Sequence, residues 1–311
     1  MATTVTAPVG NSIALAQRYL PMLDEIYKVE SRSAILDTLA DRVSFINANA
    51  VNIYTIDPKA MGNYSRNAGF VPGDVDGAWH TYTLSTDRGR SYMVDALDNE
   101  ESMNMAFGGL LGEVERQHIV PEIDAYRFAT YAYGAAAANK VSADLSTGAG
   151  AVAAIDAATV ALDNAEVPYE GRVLFVSPAT YGLIKAGVTR MVMNRDDNVN
   201  YNVAMYNDMR VITVPQPRFV TAITLANPSD HDDAGGYAPA AGAYNINFMI
   251  IHPSAVLQVM KHYVTRIFSP DQNPSADAFL LQPRYAHGAW VKSQKTNGIY
   301  VHTAGSAIPS N

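Results

Sequence analysis

Cysteine is absent from the 311 residues. That removes disulfides, thiolate zinc sites and cysteine nucleophiles together, and fits assembly in a reducing cytoplasm. Charge is scarce too: 17% of residues are Asp, Glu, Lys or Arg, against about a quarter in ordinary globular chains. No apolar run reaches the roughly 20 residues that span a bilayer. The N-terminal MATTVTAPVGNS has neither the basic nor the apolar stretch that opens a secretory signal. Basic side chains are outnumbered 22 to 30, giving a net charge of −8 and a pI of about 5.3. This balance argues against a dedicated nucleic-acid binder, which shows a basic footprint. It leaves room for a protein that encloses nucleic acid without gripping it.

What is present is apolar and aromatic. Hydrophobic residues make up 48% of the chain, with 18 tyrosines and 12 methionines. Tyr and Met are enriched where chains meet, so a low-charge surface rich in both hints at contacts with other chains. At this length a single core stops growing, and two or more lobes are expected.

The apolar period changes along the chain. SIALAQRYLPMLDEIYKVES has helical spacing after a small, polar arm, and SAILDTLADRV reads as a second short helix. VNIYTI and WHTYTLST then alternate as strands. Between them stand the twenty-two residues DPKAMGNYSRNAGFVPGDVDGA, rich in Gly, Pro, Asn and Asp. Loops of that length signal function or disorder. Paired, the two strands make a long hairpin whose limbs reach roughly 70 Å at full extension. An isolated hairpin is marginal in water, so this one needs another surface to lie on. Met103, Phe107, Leu111 and Val114 then mark one face of a helix, and PEIDAYRFATYAYGAAAA reads as a helix restarting at Pro121. STGAG breaks that pattern. Beyond it the expected order is helix (AVAAIDAATVALDNAEV), buried strand (GRVLFVS), helix (PATYGLIKAG) and strands MRVITVP, NINFMIIH and AVLQVMKHYVTRIF. WVKSQKTNGIYVH closes the chain as a hairpin turning at Asn297-Gly298.

Motifs that could carry chemistry are weak. SDHDD, centred on His231, gathers three carboxylates and an imidazole, yet no second ligand group stands at a metal-site spacing. Ser177 occupies a strand-to-helix junction without the glycines of a nucleophile elbow, and reads as the N-cap of the helix that Pro178 begins. GGLLG lacks the basic and hydroxyl partners of a phosphate loop. The seven histidines show no metal-binding spacing. A hydrolase or metalloenzyme built on the His231 loop is therefore the remote alternative, since no acid, base and nucleophile converge.

One stretch is different. DRGRSYMVDALDNEES brings Asp87, Arg88, Arg90, Asp95, Asp98, Glu100 and Glu101 into sixteen positions of a charge-poor chain. Mixed signs at the junction between a hairpin and a helix suit a salt-bridged joint. At a subunit contact such groups set register and partner choice. Together with Arg66 in the hairpin they are the candidate inter-subunit residues.

The run NYSRNAGFVPGDVDGAWHTYTLSTDRGRSYMVDALDNEES, followed by a helix and VPEIDAYRFA, resembles the major capsid proteins of tailed bacteriophages, with the Hong Kong 97-like fold. GRVLFVSPATYGLIKAG, INFMIIHPSAVLQVMKHYVTRIFSPD and NGIYVHT follow in the same order, so the resemblance spans about residues 45 to 303. It implies an α+β fold with an N-terminal arm (1–45), an extended β-hairpin loop (46–98), a spine helix and first peripheral part (99–149), an axial domain (150–255) and a second peripheral part (256–311). It further implies self-assembly into hexamers and pentamers of an icosahedral shell around double-stranded DNA, put together in the host bacterial cytoplasm. A separate scaffolding protein and a portal protein are the partners it implies, with a decoration protein left open. It carries no catalytic residue, cofactor, metal or membrane contact. Within the same fold, an encapsulin-like compartment holding protein cargo is the alternative.

Overall fold

The computed structural model describes residues 31–37, 44–47, 50–67, 69–97, 110, 112–188, 203–228 and 233–308. The first stretch holds a 3-10 turn, Ala34–Leu36, inside the expected short helix SAILDTLADRV; residues 38–43 lie outside the described ones.

The alternating runs do pair. Strand β1 (Ser44–Asn47) lies antiparallel to β2 (Ala50–Pro58), and β2 to β3 (Val75–Thr83), in unbroken register from Ala50↔Thr83 to Pro58↔Val75. β1 straddles the expected boundary between arm and hairpin. In the connection between β2 and β3, Ser65 and Gly69 exchange backbone hydrogen bonds of 3.1 and 2.7 Å. The left-handed φ of +81° at Gly69 makes glycine the suitable residue there.

The hairpin ends earlier than expected. β4 (Thr86–Gly89) and β5 (Tyr92–Asp95) leave it and pair with a later strand, so the charged joint is woven into a separate sheet. The helix does not restart at Pro121 either. A π-turn, Glu115–Ile119, runs directly into α1 (Val120–Gly134), and Ile119 at the junction has helical φ and ψ of −69° and −54°. The wider hydrogen bonding of a π-turn makes room for a proline, which has no N–H to donate.

β6 (Lys140–Ser142) precedes α2 (Gly148–Asn164). This helix begins within STGAG instead of after it, because the Thr147 hydroxyl accepts the Gly150 N–H at 3.1 Å as an N-cap. β7 (Val173–Val176) leads into α3 (Pro178–Val188), and Ser177 caps α3 by accepting the Thr180 N–H at 3.2 Å. β8 (Met205–Tyr206) and β9 (Met209–Thr213) meet at Asn207 and Asp208, both left-handed as a type I′ turn requires. β10 (Ile223–Leu225) and β11 (Tyr237–Pro239) form a separate pair. β12 (Tyr244–Ile251), β13 (Val256–Phe268), β14 (Ala278–Val291) and β15 (Ile299–Ala307) complete the described chain.

Two sheets organise the molecule. One has six strands in the order β6-β15-β12-β7-β9-β8; the other joins β13, β14 and β4, with β5 also on β14. The expected terminal hairpin is therefore corrected. β14 and β15 belong to different sheets and are joined by the 3-10 turn Ser293–Gly298. Neither Asn297 nor Gly298 has the positive φ that a tight type I′ turn demands. The expected second peripheral part is divided for the same reason, since β15 pairs with β12.

Period-2 alternation builds a core on both faces of the six-stranded sheet. Val173, Phe175, Met249, Ile251, Ile299 and Val301 face α1 and meet Phe128 and Tyr131. Leu174, Val176, Phe248, Ile250 and Tyr300 face α2 and α3, packing with Ile155, Leu162 and Ile184. The N-terminal part of α1 buries Val120 and Ile123 against Tyr285 of the four-stranded sheet. The same helix thus joins both sheets. No helix among the described residues is long and apolar enough to cross a membrane.

Candidate functional site

The charged joint is where three parts of the chain converge. Strand register sets Arg88 opposite Tyr285 and Asp87 opposite Ala286. Alternation then turns Arg88 toward α1 and Asp87 toward the open face of the sheet. Beneath α1, Arg88 Nε and Nη2 donate to the two Glu122 oxygens at 2.8 and 3.1 Å, and the Tyr285 hydroxyl donates to Glu122 Oε1 at 2.8 Å. Arg88 also donates to the carbonyls of Ala226 (2.7 Å) and Gly236 (3.4 Å), which flank the β10–β11 pair. Glu122 is 3% exposed, so its charge depends on this bidentate partner. Burial opposes the charge of Arg88, but Glu122 outweighs it and holds the guanidinium pKa above its ordinary value. Tyr285 is pushed up by burial and by the adjacent carboxylate.

On the open face Arg284 forks onto Asp87, with 3.0 Å from Nε and 2.7 Å from Nη2. Those hydrogen bonds lower the Asp87 pKa. Arg90 donates to the Ala234 carbonyl at 3.3 Å, and Asp95 accepts the Leu97 N–H at 2.9 Å. Arg66 is exposed beside the Ser65–Gly69 bridge in the hairpin loop. Asp98, Glu100, Glu101 and His231 lie outside the described residues. The structure therefore gives Asp87 and Arg88 partners within their own chain. Among the described residues no cluster of three His, Asp or Glu could hold a metal ion.

A second polar knot anchors the stretch at 31–37. Asp124, fully buried in α1, accepts from the Ser31 hydroxyl (2.7 Å), the Arg32 N–H (2.9 Å) and the Ser33 hydroxyl (2.7 Å). Arg218 adds a contact of 3.4 Å. Arg127, 1% exposed, donates to the Ser33 hydroxyl at 2.9 Å. Neither Asp124 nor Glu122 acts merely as a first-turn acid complementing the helix dipole. The visible signal was the density of Glu122, Asp124 and Arg127 in PEIDAYRF; their partners lie between 34 and 163 residues away in the chain and had no local mark.

The hairpin carries an exposed apolar face. Its root is buried: Val51, Ile53 and Tyr82 pack on Leu257, Val259 and Trp290 of the four-stranded sheet. Farther out, the opposite face carries Tyr54 and Trp79 as a cross-strand pair with ring centroids 5.0 Å apart. Trp79 is 63% exposed, Ile56 56% and Val75 66%. In the loop beyond them Met61 and Phe70 are also exposed. Contiguous apolar exposure of this kind marks a surface built to be covered.

No family model matches the sequence, and no curated relative matches it. Solved structures do. Microbacterium phage Oxtober96 aligns over 98% of this chain and 94% of its own, with a TM-score of 0.59 at 12% identity. The mature capsid of bacteriophage PhiM1 aligns over 83% and 82%, with a TM-score of 0.59 at 14% identity. The capsid of cyanophage P-SCSP1u aligns over 85% and 86%, with a TM-score of 0.58 at 11% identity. The chain therefore has the α+β, Hong Kong 97-like fold of tailed-phage capsid proteins.

Proposed function

We propose that this chain is the major capsid protein of a tailed phage, assembling into hexamers and pentamers of an icosahedral shell around double-stranded DNA. The observation that carries this reading, beside the fold, is the outward apolar face of the hairpin at Tyr54, Ile56, Val75 and Trp79. A stable monomer gains nothing from such a face, whereas a neighbouring copy beneath it buries the aromatic pair. Each hairpin engages a surface elsewhere on the next copy, a heterologous contact that closes into rings. Many modest contacts made together give a durable container. A separate scaffolding protein directs assembly in the host cytoplasm, a portal protein takes one vertex, and the enclosed DNA is held without sequence-specific contacts.

Negative-stain microscopy of the purified chain, alone and with its scaffolding protein, tests this. Regular shells, tubes or rings are the expected result. A concentration-independent monomer in both preparations removes the shell role. Shells purified from infected or expressing cells containing a cargo enzyme instead of DNA would favour the encapsulin-like compartment.

A further inference from the structure

We infer that Met61, near the far end of the hairpin, is a redox-modification site: its thioether is open to hydroperoxides in the free chain, and its sulfoxide keeps that copy out of the shell. This rests on the shell reading and adds a regulation to the hairpin that supports it.

The stretch around Met61 is an ordered ribbon that carries almost no charge. The Lys59 N–H donates to the Asp74 carbonyl at 3.3 Å. Farther out, a Cβ on Gly62 would meet the Val71 side chain at 3.3 Å, and the ring centroids of Tyr64 and Phe70 stand 4.9 Å apart. The Ser65–Gly69 bridge closes the end. Between Lys59 and Asp74 the only charged residue is Arg66. Yet Met61 is fully exposed, and Tyr64, Phe70 and Val71 are each more than half exposed. A ribbon this thin has no core of its own in which to hide these side chains. A neighbouring copy beneath it is what removes them from water.

Methionine holds all of the sulfur in this chain, since cysteine is absent. The described methionines differ sharply in access: Met209 and Met249 are buried, Met93 and Met205 are 61% and 62% exposed, and Met61 is wholly so. Met61 therefore meets a dissolved oxidant first.

The step is an oxygen transfer. The sulfur lone pair takes the terminal oxygen of a hydroperoxide, the O–O bond breaks, and an alcohol leaves, or water when the oxidant is hydrogen peroxide. Sulfur is oxidised by two electrons and the peroxide is reduced by two. The product replaces an apolar side chain with a polar one. In the free chain the sulfoxide oxygen accepts hydrogen bonds from water, and the fold is undisturbed. Under a neighbouring copy it must give up that water without a partner, which opposes docking. Docking in turn shuts the thioether away from the oxidant. Copies are thus sorted before assembly and protected after it, and reduction of the sulfoxide readmits a rejected copy.

The test treats the full, unassembled chain with dilute hydrogen peroxide, removes the excess with catalase, and reads each methionine by peptide mass spectrometry. Assembly is then followed by light scattering and microscopy. Met61 should convert before Met93 and Met205, with an unchanged thermal melt, and the concentration needed for assembly should rise about tenfold or more. Met61→Leu, treated alike, should assemble as the untreated wild type does. Met61→Gln should show the defect without any oxidant, and the two epimer-specific methionine sulfoxide reductases should restore the treated wild type. Normal assembly of chain whose Met61 is fully converted overturns the inference and leaves the shell reading standing. So does an equal loss in peroxide-treated Met61→Leu, which lays the effect on another methionine. Conversion of Met61 as fast in finished shells as in the free chain overturns it too. A wild type that never assembles removes both readings together.

Discussion

Arg88 and Glu122 face each other across the boundary between sheet and helix, joined at 2.8 and 3.1 Å with the carboxylate 3% exposed. This inverts the simplest expectation for DRGRS, in which Arg88 would serve a neighbouring copy first. Truncating Arg88 strands a buried negative charge. Arg88→Ala should therefore lower the chain's own stability by about 3–5 kcal/mol, seen as an earlier urea midpoint of the unassembled protein. An unchanged midpoint with assembly lost would return Arg88 to the subunit contact.

Asp124 is the anchor for residues 31–37. Charged hydrogen bonds contribute about 1.5–3 kcal/mol each, without simple additivity. Asp124→Asn should cost at least about 2 kcal/mol in total. More tellingly, the Arg32 amide, which donates to Asp124 at 2.9 Å, should exchange its hydrogen much faster. Unaltered exchange there would mean that the stretch is held by Leu36 in the core instead.

Helices α2 and α3 touch at two glycines. A Cβ on Gly148 would lie 2.6 Å from the Gly187 nitrogen, and one on Gly187 would lie 2.6 Å from the Gly148 carbonyl. Either Gly→Ala change should destabilise by about 1–3 kcal/mol through overpacking. Gly182 in α3 is the control: a Cβ there meets nothing within 4 Å, and Gly182→Ala should be neutral or gain up to about 1 kcal/mol from helix propensity. Thermal melts of the three variants decide.

His287 is fully buried beneath α1, and its pKa is lowered to about 3, chiefly by burial and secondarily by Arg127 and Arg88. The folded chain keeps this imidazole neutral while the unfolded chain protonates it near pH 6.5. The unfolded state therefore binds the extra proton. Stability should fall as the pH drops from about 6.5 toward 3, by up to about 1.4 kcal/mol per pH unit. His287→Phe removes this contribution. Urea midpoints from pH 7 to pH 4 should consequently fall less steeply in the variant than in the wild type. Equal slopes would place the acid sensitivity elsewhere.

Trp79 and Tyr54 test the outward face. Both are half-exposed or more in the single chain, so Trp79→Ser and Tyr54→Ser should change the monomer's melt by less than about 1 kcal/mol. Shell formation should nevertheless fail or require far higher protein concentration. Assembly at wild-type concentration would show that the aromatic pair remains uncovered.

Strongly periodic elements were readable in advance. GRVLFVS and NINFMIIH became β7 and β12 because continuous apolar runs suit strands buried on both faces. The long hairpin followed from alternation in VNIYTI and WHTYTL. What misled was local chemistry overruled at a distance. Pro121 and Asn297-Gly298 are ordinary stop and turn signals, yet a π-turn absorbs the proline and two different sheets claim the strands around Gly298. The charged joint was recognisable as a joint, but Asp87 and Arg88 find their partners at Arg284 and Glu122, residues whose sequence positions gave no indication of proximity.

The return of β15 to the six-stranded sheet has a consequence for how the molecule comes apart. Each sheet is assembled from stretches separated in the chain: β4 and β5 with β13 and β14 in one, β6 to β9 with β12 and β15 in the other. No single backbone cut releases either sheet intact, and α1 packs on both. Limited proteolysis should yield nicked but associated protein instead of separable fragments, and heating should give one calorimetric transition. A subunit that melts as one unit passes strain at its hairpin to its far sheet without a hinge to dissipate it.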